Sequence, residues 1–150
     1  MSGHVAEINV AAEHGEPCLP VARIEVLAGQ GIVGERHFLE TPAARRGNDL
    51  TLVDRGAVEA FVDDTGIPLT AAETRRNVVT VGVDVNALVG RRFRIGEVEC
   101  LGVELCEPCS HLESLTRPGV LRGLVHRAGL NVDVLAGGSI AVGDEIVLPD

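Results

Sequence analysis

Residues 93–106 read FRIGEVECLGVELC, and the way their apolar positions fall decides which kind of fold the chain builds. Val98 and Cys100 alternate with charged Glu99, a period of two that marks a strand with one face buried. Beyond Cys100 the apolar set slips by one, to Leu101, Val103 and Leu105. A slip of one residue turns the opposite face inward. The stretch therefore reads as a hairpin or a bent strand, with a bulge expected between Cys100 and Gly102.

The same punctuation continues outward. HVAEINVAA and PVARIEVLA alternate as strands do, LTLVD is a short third, and NVVTVGVD is β-branched throughout. The segment from Arg55 to Asp64 is the best helix: Val58, Phe61, Val62 and Thr65 share a face, Asp54 can cap it, and Gly66 followed by Pro68 ends it. SHLESL and PGVLRGLVHR read as short helices, the second with Pro118 in its first turn. The tail reads as a hairpin, LNVDVLA then GGS then IAVGDEIVLP. With 18 glycines for turns and no long helix alternating with strands, the expected fold is mainly β. It is a small closed or partly open β-barrel with a few short helices, formed by residues 1–150 as one domain.

A hydrophobic content of 45% over 150 residues supports a core without staples. No apolar run reaches membrane-spanning length, and the N-terminus lacks a basic start followed by an apolar block, so the expected compartment is the cytoplasm. The net charge of −9 opposes nucleic-acid backbones and anionic membranes, so neither is expected as a partner. All 13 cationic residues are arginine. Without lysine there is no Schiff base for pyridoxal phosphate and no Walker-type phosphate loop.

The stretch that follows the opening one is CEPCSH, Cys106 to His111, and it has three readings. As half a zinc knuckle it lacks a second ligand pair: only Cys100, His111 and His126 are candidates, which disfavours zinc. As a redox dithiol it imitates a thioredoxin-type motif, but no βαβ start precedes it. The third reading is one functional thiolate, Cys109, at the start of the SHLESL helix. A helix terminus contributes roughly 0.3–1 kcal/mol toward an anion, too little to ionise a free thiol, so an arginine or a metal must complete the task.

Two further stretches suit an oxyanion. GIVGERHF, residues 31–38, supplies a glycine turn with Gly34 that lets backbone approach a ligand, then Arg36 and His37. ETRRN, residues 73–77, sets Arg75, Arg76 and Asn77 just before a strand, where adjacent residues should face opposite ways and only one arginine should enter a given cavity. Taken together, GIVGERH, RRNVVTVGVDVNALVGRRFRIGE, CEPCSHL and GLNVDVLAGGSIAVGDEI resemble the MOSC family, named for the molybdenum cofactor sulfurase C-terminal domain, from about Val21 to Leu148.

The resemblance implies a compact β-barrel that binds the molybdenum cofactor, molybdopterin. It implies Cys109 as the thiolate that meets molybdenum, with Arg36, Arg75, Arg76 and Asn77 around the pterin phosphate and Gly34 in the turn. His37 and His111 become candidate acid/base or hydrogen-bonding groups near the metal. It implies either a small oxidoreductase acting on N-hydroxylated compounds or a carrier of sulfur or cofactor. A metal-free persulfide carrier, or a small CxxC zinc or redox module, are the alternatives. Family sulfurases make their persulfide on a lysine-bearing desulfurase domain, so a separate cysteine desulfurase, or for a reductase an electron-donor protein, is the expected partner.

Overall fold

The computed structural model describes residues 3–43 and 46–149. The first strands are β1 (Gly3–Val10), β2 (Leu19–Pro20), β3 (Arg23–Leu27), β4 (Gly31–Ile32) and β5 (Leu50–Asp54). Helix α1 (Arg55–Thr65) leads through a 3-10 turn at Ala72–Thr74 to β6 (Val78–Val81). A second 3-10 turn, Val85–Leu88, precedes β7 (Arg92–Ile95) and β8 (Val98–Leu105). Helices α2 (Ser110–Leu115) and α3 (Val120–Gly123) follow, then β9 (Leu130–Ala136), β10 (Gly138–Ala141) and β11 (Glu145–Val147).

Seven strands close into a ring in the order β11-β7-β8-β9-β5-β6-β1, and β1 returns to β11 through Gly3↔Ile146 and His4↔Glu145. The barrel is thus closed rather than partly open, which removes the free edges of a sheet this small. All its ladders are antiparallel except β5–β6, which run parallel and are joined across α1. Outside the ring, β2 pairs with β1, and β10-β3-β4 form a separate small sheet.

The hairpin at FRIGEVEC forms as expected, with Ile95↔Val98 beside the turn. The ladder breaks on both sides of the Cys100–Gly102 stretch where the pattern placed the bulge. Val98, Cys100 and Gly102 all stay buried, and the β8–β9 register shifts twice, at Glu99/Cys100 and at Gly102/Glu104. Gly102 explains the second shift: a Cβ there would lie 2.0 Å from the Leu88 carbonyl oxygen, so only glycine lets the 3-10 turn cross the strand.

Two expectations are corrected. The tail does not fold into a hairpin: β9 pairs with β8 and β5, β10 with β3, and β11 with β7 and β1. The chain leaves the barrel at Gly137, where a Cβ would meet the Val26 carbonyl oxygen at 2.4 Å, and Ile140 then packs into the core with Ile24. The helix expected from Pro118 is only the single turn Val120–Gly123, entered from a left-handed Gly119, so Pro118 precedes the helix and does not lie in its first turn.

Helix α1 matches its reading closely. The Asp54 side chain accepts from Gly56 N–H at 3.2 Å, Gly66 closes the helix in left-handed conformation, and Val58 and Phe61 are buried. The apolar residues sort into two clusters. One fills the barrel, around Ile8, Leu50, Leu52, Phe93, Ile95, Cys100, Leu130 and Ile146. The other lies between the helices and the outer faces of β5 and β6, and joins Val53, Val79, Phe61, Leu112, Val120 and Leu124. Each such side chain contributes roughly 1.5–3 kcal/mol on burial. Among the described residues no helix is long and apolar enough to cross a membrane.

Candidate functional site

The site begins where β8 stops. After Leu105 the chain is tied once more to the barrel, by Cys106 N–H donating to the Gly129 carbonyl at 2.8 Å, and then leaves it. Cys109 caps α2 in extended conformation, and its Sγ accepts from Leu112 N–H at 3.5 Å. Leu112 is buried in the helical core, while Cys109 is exposed. Glu113 braces the helix from its other side, accepting from Gly119 N–H at 2.9 Å and Leu121 N–H at 3.1 Å. The thiol is therefore held outward by a helix that is itself pinned inward.

The cationic side is built by the turn after β4. Gly34 adopts φ +83°, which swings the Glu35–His37 segment back across β1. Glu35 is buried. Its carboxylate accepts from Ala11 N–H at 3.2 Å and His37 N–H at 3.3 Å, and it forms an ion pair with Arg36. Arg36 also donates to Cys18 Sγ at 3.7 Å and to the Arg75 carbonyl at 3.3 Å. The Arg36 charge is thus compensated inside the protein.

Arg75 and Arg76 divide their work differently. Arg76 spends its guanidinium on backbone carbonyls: Nε to Ala128 at 2.8 Å, Nη1 to Thr74 at 3.2 Å, Nη2 to Cys106 at 2.9 Å and to Glu107 at 3.3 Å. It is a strap across the loop that leads to Cys109. Arg75 has φ +63°, rare for a residue with a side chain, and its guanidinium donates to the Glu16 carbonyl. That left-handed step breaks the alternation expected for adjacent residues in a strand. Both arginines consequently border the same cleft, which corrects the expectation that only one would.

The cleft holds about 160 Å³ and brings Arg36, His37, Arg75, Arg76, Cys109 and His111 together with His14, Gly15 and Leu112. A second hollow of about 160 Å³ shares Arg36, His37 and both arginines 75 and 76, and reaches Asn77 and Cys106. A third, of about 250 Å³, shares Arg75 and Gly15 and reaches Cys18 and Leu115. Arg75 borders all three, so they adjoin around one guanidinium. Among the described residues, Arg75 forms no ion pair with a carboxylate, unlike Arg36.

The remaining expected residues lie elsewhere or serve the frame. Asn77 borders the second hollow, but its side chain is engaged. Its Oδ1 accepts from Thr51 N–H and hydroxyl at 3.2 and 3.0 Å, and its Nδ2 donates to the Asn9 carbonyl at 3.3 Å. Gly34 is exposed at the tip of its turn and borders none of the three hollows. Sequence reasoning missed His14, whose ring meets that of His37 edge-on at 5.1 Å, because nothing in EHGEP ties that loop to the cleft. It also missed Cys18 and Glu35. Glu35 had a readable signal, since a carboxylate beside a buried arginine is its natural counter-ion.

The two cysteines of CEPC differ. Burial pushes the Cys106 thiol up, with Arg76 opposing and Cys109 adding to the rise. A nucleophilic first cysteine of a redox dithiol needs the opposite direction, so the structure argues against that reading. Among the described residues no group of three or more His, Cys, Asp and Glu side chains is arranged to hold a metal ion. A bare ion would find too few protein donors here. A metal that arrives inside its own chelate needs only one thiolate from the protein, and Cys109 fits that requirement.

The closed seven-stranded barrel carries an exposed thiol beside a cleft bordered by guanidinium groups. The MOSC domain model matches residues 43–147, more than two thirds of the chain, and the protein belongs to the MOSC domain family. Similar solved structures include YuaD from Bacillus subtilis, 19% identical, covering 97% of this chain and 94% of that one, with a TM-score of 0.83. YiiM from Geobacillus stearothermophilus is 19% identical over 99% of this chain and 75% of that one, with a TM-score of 0.75. YiiM from Escherichia coli is 17% identical over 100% and 70%, with a TM-score of 0.69. At these identities the likeness is one of fold. Among curated proteins none matches this chain.

Proposed function

We propose that this protein binds the molybdenum cofactor in the Cys109 cleft and serves as a small oxidoreductase or as a carrier of cofactor or sulfur. The observation that carries the reading is the meeting of the exposed Cys109 with the Arg75 guanidinium at one cleft. The bound group would supply the redox-active metal and its own sulfur ligands. Cys109 supplies one thiolate. Arg75 pairs with the terminal phosphate, because a guanidinium fork matches two oxygens of a phosphate at once. Arg36 and Arg76 act indirectly: the first fixes the Arg75 backbone, the second the loop before Cys109. His14, His37 and His111 offer ring nitrogens to polar edges of the ligand. With no Trp or Tyr in the chain, hydrogen bonds rather than stacking orient a pterin.

The test is metal and pterin analysis of protein made in a host that synthesises the cofactor. Both should approach one per chain, and both should fall in Cys109→Ser and Arg75→Gln. Protein that is folded yet free of molybdenum and pterin would remove the proposal. The exposure of Cys109 also favours a second reading, a persulfide carrier without metal. There the Cys109 thiolate attacks the outer sulfur of a desulfurase persulfide, a new S–S bond forms, and the desulfurase thiolate leaves. That reading expects a mass gain of one sulfur after incubation with a desulfurase and cysteine, absent in Cys109→Ser. An electron-donor protein would be the partner of the reductase, a desulfurase that of the carrier.

A further inference from the structure

We propose that the outer wall of the barrel carries a second binding site, for a small organic anion with a short apolar body. A cavity of about 270 Å³ opens there between Arg92, Arg94, Glu99, Leu135 and Pro149, with buried Phe93 and Cys100 at its floor. It shares no residue with the hollows around Arg75.

Three observations converge on this class of ligand. Arg92 and Arg94 are exposed and alternate with buried Phe93 and Ile95, so both stand on the outer face of β7. Their Cα atoms are about 7 Å apart, a span that one carboxylate or phosphate bridges with a bond to each fork. Neither guanidinium has an ion-pair partner among the described residues, although Arg94 lies across the ladder from Glu99. By contrast Arg36, Arg55, Arg117 and Arg127 all have carboxylate partners. Two cations against the single charge of Glu99 leave the cavity net positive in a chain of net charge −9, a balance that favours an incoming anion.

The apolar wall is equally specific. In the β8–β9 ladder Cys100 pairs with Val134 and Glu99 with Ala136, so Leu135 is the extra residue of a bulge. Leu135 follows buried Leu130, Val132 and Val134 in the outward phase of β9, and as the unpaired residue of the bulge it remains 40% exposed. Pro149 adds a second apolar lining residue. The acid group therefore sits on Arg92 and Arg94, and the apolar body lies against Leu135 and Pro149.

Octanoate is the probe, titrated into the full chain by calorimetry and followed by chemical-shift changes, with 1-octanol as the neutral control. Saturable octanoate binding is expected, with shifts centred on residues 92–94 and 135. The double variant Arg92→Gln, Arg94→Gln should weaken it about tenfold or more, since each charge-assisted bond is worth more than a neutral one. Leu135→Ser should weaken both octanoate and octanol, and Cys109→Ser should change neither. These side chains are exposed, so circular dichroism should report an unchanged fold. Octanoate that fails to saturate the native chain, or binds the double variant equally well, overturns the proposal.

Discussion

Cys100 and Cys109 stand nine residues apart on one continuous segment and meet opposite surroundings. Cys100 faces the barrel interior, fully buried, and its thiol is pushed up to about 12 by burial, with the charge of Asp49 adding to the rise. Cys109 lies beyond the end of the sheet, exposed at a cleft bordered by arginine and histidine. The residue type is the same, and the difference is where the strand stops. While the ladder continues, alternation decides which way a side chain points, and an inward sulfur becomes part of the core. Once the chain has left the ladder at Cys106, capping contacts decide instead, and a sulfur can be turned out and held there.

The largest expected effect tests that contrast directly. Alkylation of the native protein should label Cys109 rapidly and Cys100 only through unfolding. A stability of the ordinary 5–15 kcal/mol makes Cys100 slower by more than about a thousandfold. Peptide mass spectrometry after timed iodoacetamide treatment reads the ratio, and comparable rates would break the comparison. Next comes Glu35→Ala, which strands the buried Arg36 charge and should cost about 3–5 kcal/mol in urea unfolding. An unchanged midpoint would mean that the pair is not buried in solution.

Alkaline pH probes the buried thiols, Cys100 and, in the same direction, Cys106. The folded pKa of Cys100, about 12, stands above the ordinary 9.0, so the neutral thiol is favoured in the fold. Below pH 9 that contribution is fully present. Above it the unfolded chain ionises first, and stability falls by about 1.4 kcal/mol per unit, up to about 4 kcal/mol as pH nears 12. That part of the alkaline loss should disappear in Cys100→Ala, measured by denaturation across that range. A smaller effect is expected of Asp54→Ala, about 1 kcal/mol, through loss of the cap on α1.

The same contrast governs how much was legible in the sequence. The barrel was readable because its residues obey a local rule: alternation in FRIGEVEC and the cap, face and stop of Arg55–Gly66 each state their own structure. The tail was misread for a physical reason. LNVDVLA and IAVGDEIV alternate well, but alternation says which face is buried and not which strand lies alongside, and both found partners far away in the chain. At the cleft, residue types were legible and their division of labour was not. The left-handed Arg75, the carbonyl strap made by Arg76 and the full engagement of Asn77 all depend on segments distant in sequence. His14 carried no local mark at all.

One substitution, placed at both sulfurs, gives at Cys109 the smallest effect and between the two the sharpest comparison. At Cys109 serine keeps the acceptor that caps Leu112 N–H, and serine is among the favoured cap residues, so stability should stay within about 0.5 kcal/mol of the native protein. At Cys100 serine puts a hydroxyl into the apolar interior of the barrel. Its neighbours across the strands, Phe93 and Val134, are apolar, and the Val98 carbonyl that the thiol faces at 3.8 Å is beyond ordinary hydroxyl reach, so the cost should be about 1–3 kcal/mol. The functional consequences should run the other way: Cys109→Ser should lose molybdenum or persulfide while Cys100→Ser, where folded, should keep it. Urea unfolding of both variants beside metal and sulfur analysis reads all four values. Equal destabilisation at the two positions would mean that Cys109 packs inside the protein, and the cleft would then lose the thiol on which its proposed chemistry depends.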